Sequence, residues 1–150
     1  MRVSVAIVVV ILAGCLTVGC RAPSPSGTLK VDPELRHLLD ITRGVEAGKP
    51  LSERDWQKLI SIYRRTDRRD IRNDVLHTMG LARIQDPERK EVMAQLAREE
   101  IAREPSISSI MVLRYVGDPS YKIYARQMME HPDPATRELY RRAFRELIPK

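Results

Sequence analysis

Arginine carries most of the charge that could do chemistry in this chain, because most of its 26 Lys and Arg residues are arginine. Two groups are dense. Arg64, Arg65, Arg68, Arg69 and Arg72 crowd positions 64 to 72, and Arg137, Arg141 and Arg145 recur every four residues with Arg142 beside them. A guanidinium is a planar fork that holds carboxylate or phosphate bidentately, so Arg65, Arg68, Arg69, Arg72, Arg137, Arg141 and Arg145 form a candidate binding surface for anions. They equally suit ordinary solvated helix faces. Like charges four apart cost a few tenths of a kcal/mol per pair, offset in part by Glu138 to Arg142 and Arg142 to Glu146. The net charge of +6 would also draw anionic partners.

The other reactive groups are scattered. His37, His77 and His131 stand far apart, with no histidine pair or cysteine at ligand spacing, so the sequence supports no metal site. Cys15 and Cys20 are the only thiols, and both lie in an apolar N-terminal stretch. Ser106, Ser108 and Ser109 lack the G-x-S-x-G turn of a serine hydrolase, and no glycine-rich phosphate cradle occurs. The expectation is therefore no catalytic residue, no cofactor and no enzyme. Without cysteines beyond position 20, the rest of the chain must be held by its apolar core.

The elements that would position these residues are punctuated by Asp-Pro. The pairs Asp32-Pro33, Asp86-Pro87, Asp118-Pro119 and Asp133-Pro134 each open a segment of helical periodicity. Aspartate at the N-cap accepts from free amides, and proline at the next position has no amide to leave unpaired. Glu104-Pro105-Ser106 predicts a further start, and Ser52 with Asp55 resembles a capping box. Apolar stripes follow at three and four spacing. They are Trp56, Leu59, Ile60 and Tyr63; Ile71, Val75, Met79 and Ala82; Val92, Leu96 and Ile101; Tyr121, Tyr124, Ala125 and Met128; and Leu139, Ala143, Phe144 and Leu147. The run from Ile107 to Val116 predicts a buried helix. No alternating run argues for a strand, so the expectation is an all-α chain of about seven helices, counting one from Pro33 to Ala47.

Before these helices, Arg2 precedes an apolar run from Val3 to Val18, and each cysteine follows a glycine. Leu12-Ala13-Gly14-Cys15 and Leu16-Thr17-Val18-Gly19-Cys20 resemble the lipobox of a bacterial lipoprotein signal. Cys15 has the better box; Cys20 has the better context, because cutting there removes the whole apolar run and leaves Arg21-Ala22-Pro23-Ser24. Both stay open as the lipidation site. An uncleaved anchor would need about 20 apolar residues, and this run is at the short end; simple secretory cleavage is the third reading. The resemblance implies a signal over residues 1–19, a Pro/Ser/Gly tether over 20–31, a domain over 32–150 and a multiply acylated cysteine that stays in the membrane. The residue after the cysteine would be Leu16 or Arg21 rather than the inner-membrane retention aspartate. The implied address is the cell envelope, on the periplasmic face of the outer membrane, with the inner membrane as the alternative.

Within the domain, Val75-Leu76-His77-Thr78-Met79-Gly80-Leu81-Ala82-Arg83-Ile84-Gln85-Asp86-Pro87 resembles the second helix of a HEAT repeat running into the next Asp-Pro turn. Val112-Leu113-Arg114-Tyr115-Val116-Gly117-Asp118-Pro119 repeats that turn, and His131-Pro132-Asp133-Pro134-Ala135-Thr136-Arg137 is similar to the turn inside a repeat. The resemblance implies a HEAT-like α-solenoid of about three helix pairs, 52–84, 87–116 and 119–148, with Pro33 to Ala47 as an N-terminal capping helix. An irregular bundle of the same helices is the alternative. Stacked pairs bury a continuous core that no single pair can cover. The family's second helices line an extended concave face, which implies binding of another macromolecule. The expected partner is another envelope protein, with an anionic envelope polymer or lipid as the alternative, and export argues against nucleic acid.

Overall fold

Four helix starts are fixed by side chains that satisfy free backbone amides. In the computed structural model, which describes residues 33–145, Asp86 accepts from the Arg89 amide at 2.8 Å and Asp133 from the Thr136 amide at 2.7 Å. Ser106 and Ser109 form a reciprocal capping box. Ser52 accepts from the Asp55 amide at 3.1 Å, while its hydroxyl donates to Asp55 Oδ2 at 2.6 Å. Such caps each contribute about 1 kcal/mol to their helices. The helices are α1 (Pro33–Glu46), α2 (Glu53–Arg65), α3 (Arg69–Leu81), α4 (Pro87–Arg103), α5 (Ile107–Val116), α6 (Tyr121–Met129) and α7 (Pro134–Phe144), and no strand occurs among the described residues.

Asp118-Pro119 behaves differently from Asp86-Pro87 and Asp133-Pro134. Gly117 takes the left-handed conformation at φ 86°, letting the Asp118 amide reach back to the Leu113 carbonyl and close α5. The Asp118 carboxylate then folds onto the Ser120 amide at 2.9 Å, and α6 begins only at Tyr121. The expected cap is thus a short turn. Its carboxylate is committed elsewhere: Arg98 of α4 binds it at 2.7 Å.

Consecutive helices pack as α2 on α3, α4 on α5 and α6 on α7. Helix α3 also contacts α1, α4 and α5, and α5 contacts α6. One apolar core runs through these contacts: Leu59 and Ile62 from α2, Val75, Leu76 and Met79 from α3, Met93 and Leu96 from α4, Ile110 and Leu113 from α5, Ala125 from α6 and Phe144 from α7. Leu38 anchors α1 to it, and the Thr42 and Thr78 hydroxyls join α1 to α3 at 2.8 Å. Leu139, assigned above to a buried stripe, turns outward instead, and so does Leu39 of α1. Leu39 is 43 % and Leu139 56 % exposed, because Leu38 and Tyr140 take the inward positions next to them. The register of a helix is chosen by the side chain that fills the core, and Tyr140 carries its hydroxyl to a buried partner as well. Cys15, Cys20, the proposed tether, Asp32 and Leu147 lie outside the described residues.

Candidate functional site

The arginines singled out in the sequence are placed on the α2–α3 turn and on α7, and most of them hold partners within the fold. Arg72 points inward rather than onto a surface. Its Nε donates to Glu100 Oε2 at 2.7 Å, Nη2 to Oε1 at 3.3 Å and Nη1 to the Thr66 carbonyl at 3.3 Å. Glu100 is fully buried. Arg103 stands 3.6 Å from the same carboxylate, and the Tyr63 hydroxyl donates to the Leu96 carbonyl at 2.8 Å with Glu100 Oε2 3.4 Å away. Burial, with the Glu100 charge adding to it, pushes the Tyr63 phenol up to about 12, and hydrogen bonding to Glu100 raises Arg72. Both groups therefore keep their protons throughout the physiological range. Arg72 is withdrawn from the candidate binding surface, since a charge in this interior needs its counterion.

Arg69 lies across the end of α4, donating from Nη2 to the Pro105 carbonyl at 3.1 Å and pairing with Glu104 at 2.5 Å. Arg68 pairs with Asp70 at 2.6 Å, and that hydrogen bond holds the Asp70 carboxyl below its usual range. Arg65 is exposed at the last turn of α2. On α7, Arg137 donates to the His131 carbonyl at 2.9 Å and Arg141 to the Met129 carbonyl at 3.1 Å. Arg145 follows the last helical turn and is exposed. The two arginine groups lie on separate elements, the α2–α3 turn and α7. They approach through the Pro105 carbonyl, which accepts from Arg69 and from the Tyr140 hydroxyl at 3.0 Å.

These contacts share a physical cause. The last carbonyls of a helix have no amide partner and carry partial negative charge, so a guanidinium from a neighbouring helix satisfies and neutralises them together. Arg72 does this for the end of α2, Arg137 and Arg141 for the end of α6, and Arg69 for the segment after α4. Hydrogen bonds from charged donors contribute about 1.5–3 kcal/mol, and less when exposed. We expect Arg137→Ala and Arg141→Ala each to lower unfolding stability by about 1 kcal/mol, while Arg145→Ala stays within about 0.5 kcal/mol. Urea denaturation curves measure all three; equal effects would disprove the assignment of Arg137 and Arg141 to helix-end capping.

The histidines stay apart. His37 and His77 are exposed on α1 and α3, and His131 sits beyond α6, its Nδ1 accepting from the Asp133 amide at 3.2 Å. Among the described residues no group of three or more His, Cys, Asp and Glu is arranged to hold a metal ion.

Two of the open cavities on the surface of the described helices bear on function. One, of about 620 Å³, is between α1 and α2 and has a polar wall of His37, Asp40, Arg54, Asp55 and Lys58. The other, about 610 Å³, lies between α3 and α5 and is floored by Leu76, Gly80, Met111 and Val112, with Leu81 and Tyr115 at its sides. Sequence reasoning missed both this groove and the Glu100 pair. Each had a signal: Gly80 breaks the run of side chains on α3, and Glu100 falls between Leu96 and Ile101 on the apolar stripe of α4. Compared with family models, curated proteins and solved structures, the chain matches none of them.

Proposed function

We propose that this protein is an envelope lipoprotein whose HEAT-like helical solenoid serves as a non-catalytic scaffold for another envelope protein. Cys15 or Cys20 carries the acyl anchor, and residues 20–31 tether the domain to the periplasmic face of the outer membrane. On this reading the anchor is the acylated cysteine; among the described residues no helix is long and apolar enough to cross a membrane. The observation that supports the scaffold most is the packing of α3 against both α1 and α5. Contact between alternate helices is what stacking of successive pairs produces, and such stacks bind partners over extended faces rather than in deep pockets.

Capture of an anionic polymer by arginine has less support. Arg69, Arg72, Arg137 and Arg141 already hold carboxylates or helix-end carbonyls, and drawing them outward would strip those groups of their partners.

Metabolic labelling with radioactive palmitate, combined with membrane fractionation, tests the anchor. Label should enter the wild-type chain, disappear in either Cys15→Ser or Cys20→Ser, and follow the protein into the outer-membrane fraction. An unlabelled protein found in the cytosol would overturn the proposal. In-cell crosslinking tests the scaffold: the protein should be recovered with the same envelope partner in wild type and in Arg141→Glu, whereas loss of that partner in Arg141→Glu would favour the arginine reading.

A further inference from the structure

We infer that the groove between α3 and α5 is the docking site for an amphipathic helix of a partner protein, one whose apolar stripe is bordered by carboxylates; this deepens the scaffold reading and rests on it. The groove has an apolar floor, and Leu81 at its edge leaves 39 % of its surface in water, which extends that apolar surface to the rim. Gly80 keeps the floor low. A Cβ there would meet only Val112 Cγ2, at 3.8 Å, so the absent side chain is not demanded by packing of α3 on α5. It leaves room above the floor instead.

The wall is already fixed. Tyr115 donates its hydroxyl to the Ile84 carbonyl at 3.0 Å, which ties the end of α5 to the segment after α3. A preformed wall limits the ordering entropy that a bound segment would otherwise cost. The hollow continues past Leu81 and Tyr115 toward the end of α1, where Lys49 and Arg83 face it beside Glu46. Together with Arg114, this makes three cations against one carboxylate around an apolar floor. At the far end His77 is opposed by Asp74.

That pattern selects the occupant. The groove is lined by residues 76–81 of α3 and 107–115 of α5, about 12 Å of helix, so it accepts about two turns of a third helix laid along it. Apolar residues at three and four spacing would meet Leu81 and Met111, and flanking Glu or Asp would meet Arg83 and Arg114. A second copy of this chain is a poorer occupant, because two molecules of charge +6 repel.

The test uses the purified full-length protein in detergent and two synthetic helical peptides that share one leucine stripe, flanked by Glu in one and by Lys in the other. Fluorescence anisotropy should give the Glu peptide at least about tenfold tighter binding than the Lys peptide. Leu81→Ser should weaken the Glu peptide by about tenfold or more while the variant keeps a cooperative melting transition and its helical circular-dichroism signal. Arg114→Glu should erase the preference between the peptides, and Arg145→Glu should leave it intact. Absence of binding, equal binding of both peptides, or indifference to Leu81→Ser and Arg114→Glu would each overturn the proposal. So would self-association of the chain that Leu81→Ser abolishes. The scaffold reading fails separately: if the peptides fail while envelope crosslinks persist, the partner uses another face.

Discussion

Arg72→Ala will destabilise this fold by about 3–5 kcal/mol, which for a domain of this size is a large share of its total stability. The size follows from what is left behind. Glu100 has no surface in water, and its best donors are Arg72 Nε at 2.7 Å and Nη2 at 3.3 Å; Arg103 is a longer contact at 3.6 Å from a mostly exposed side chain. Truncating Arg72 strands the Glu100 carboxyl in an apolar interior without its best donors, and also removes the donor to the Thr66 carbonyl at the end of α2. The pair itself is a different quantity from the cost of breaking it. Bringing two charges out of water consumes most of their mutual attraction, so the double variant Arg72→Met with Glu100→Leu should regain most of the lost stability. Urea unfolding of the two single variants and the double variant measures the coupling between them. A loss below about 1 kcal/mol in Arg72→Ala would mean that Glu100 is solvated or re-paired when its partner is removed.

The contrast between the arginines explains how much of this molecule was legible in its sequence. Helix starts were readable because the physics is local: Asp86, Asp133, Ser52 and Ser106 each satisfy an amide three residues on, and no distant residue is needed. Asp118 broke the rule because a distant residue intervened. Arg98 on α4 holds its carboxylate while Gly117 ends the preceding helix, and the local cap gives way to a turn. Arg72 was unreadable for a related reason. Within its own helix it is one of several arginines; only the position of Glu100, 28 residues later on another helix, makes it a buried counterion. Leu139 and Tyr140 show the same limit in the apolar pattern. Either could head the inner face of α7, and the Pro105 carbonyl, which takes the Tyr140 hydroxyl, decides between them. The groove was hidden because its chemistry is spread over α1, α3 and α5, with Gly80 the one local sign.

Phe144→Ala will lower stability by about 3–5 kcal/mol, and the shape of the loss separates a stack of helix pairs from an irregular bundle. Phe144 is fully buried near the end of α7, and its ring lies 6.0 Å from that of Tyr140. Removing it leaves a cavity bordered by residues that cannot easily collapse, because Tyr140 is tethered to the Pro105 carbonyl and Arg141 to the Met129 carbonyl. In a linear stack the terminal pair touches only its neighbour, so the deficit stays within α6 and α7 and the variant should unfold in two steps. Hydrogen exchange would then lose protection over 121–144 while α3 and α4, which surround the Arg72–Glu100 pair, keep theirs. Helix α5 is the element to watch. It contacts α3 and α4 on one hand and α6 on the other, so it should retain protection in the variant if pairs act as units. In a bundle with one cooperative core, protection would fall by the same amount in every helix and unfolding would remain a single transition at a lower urea midpoint. That outcome would remove the solenoid from the proposed function, and with it the extended face on which a scaffold depends.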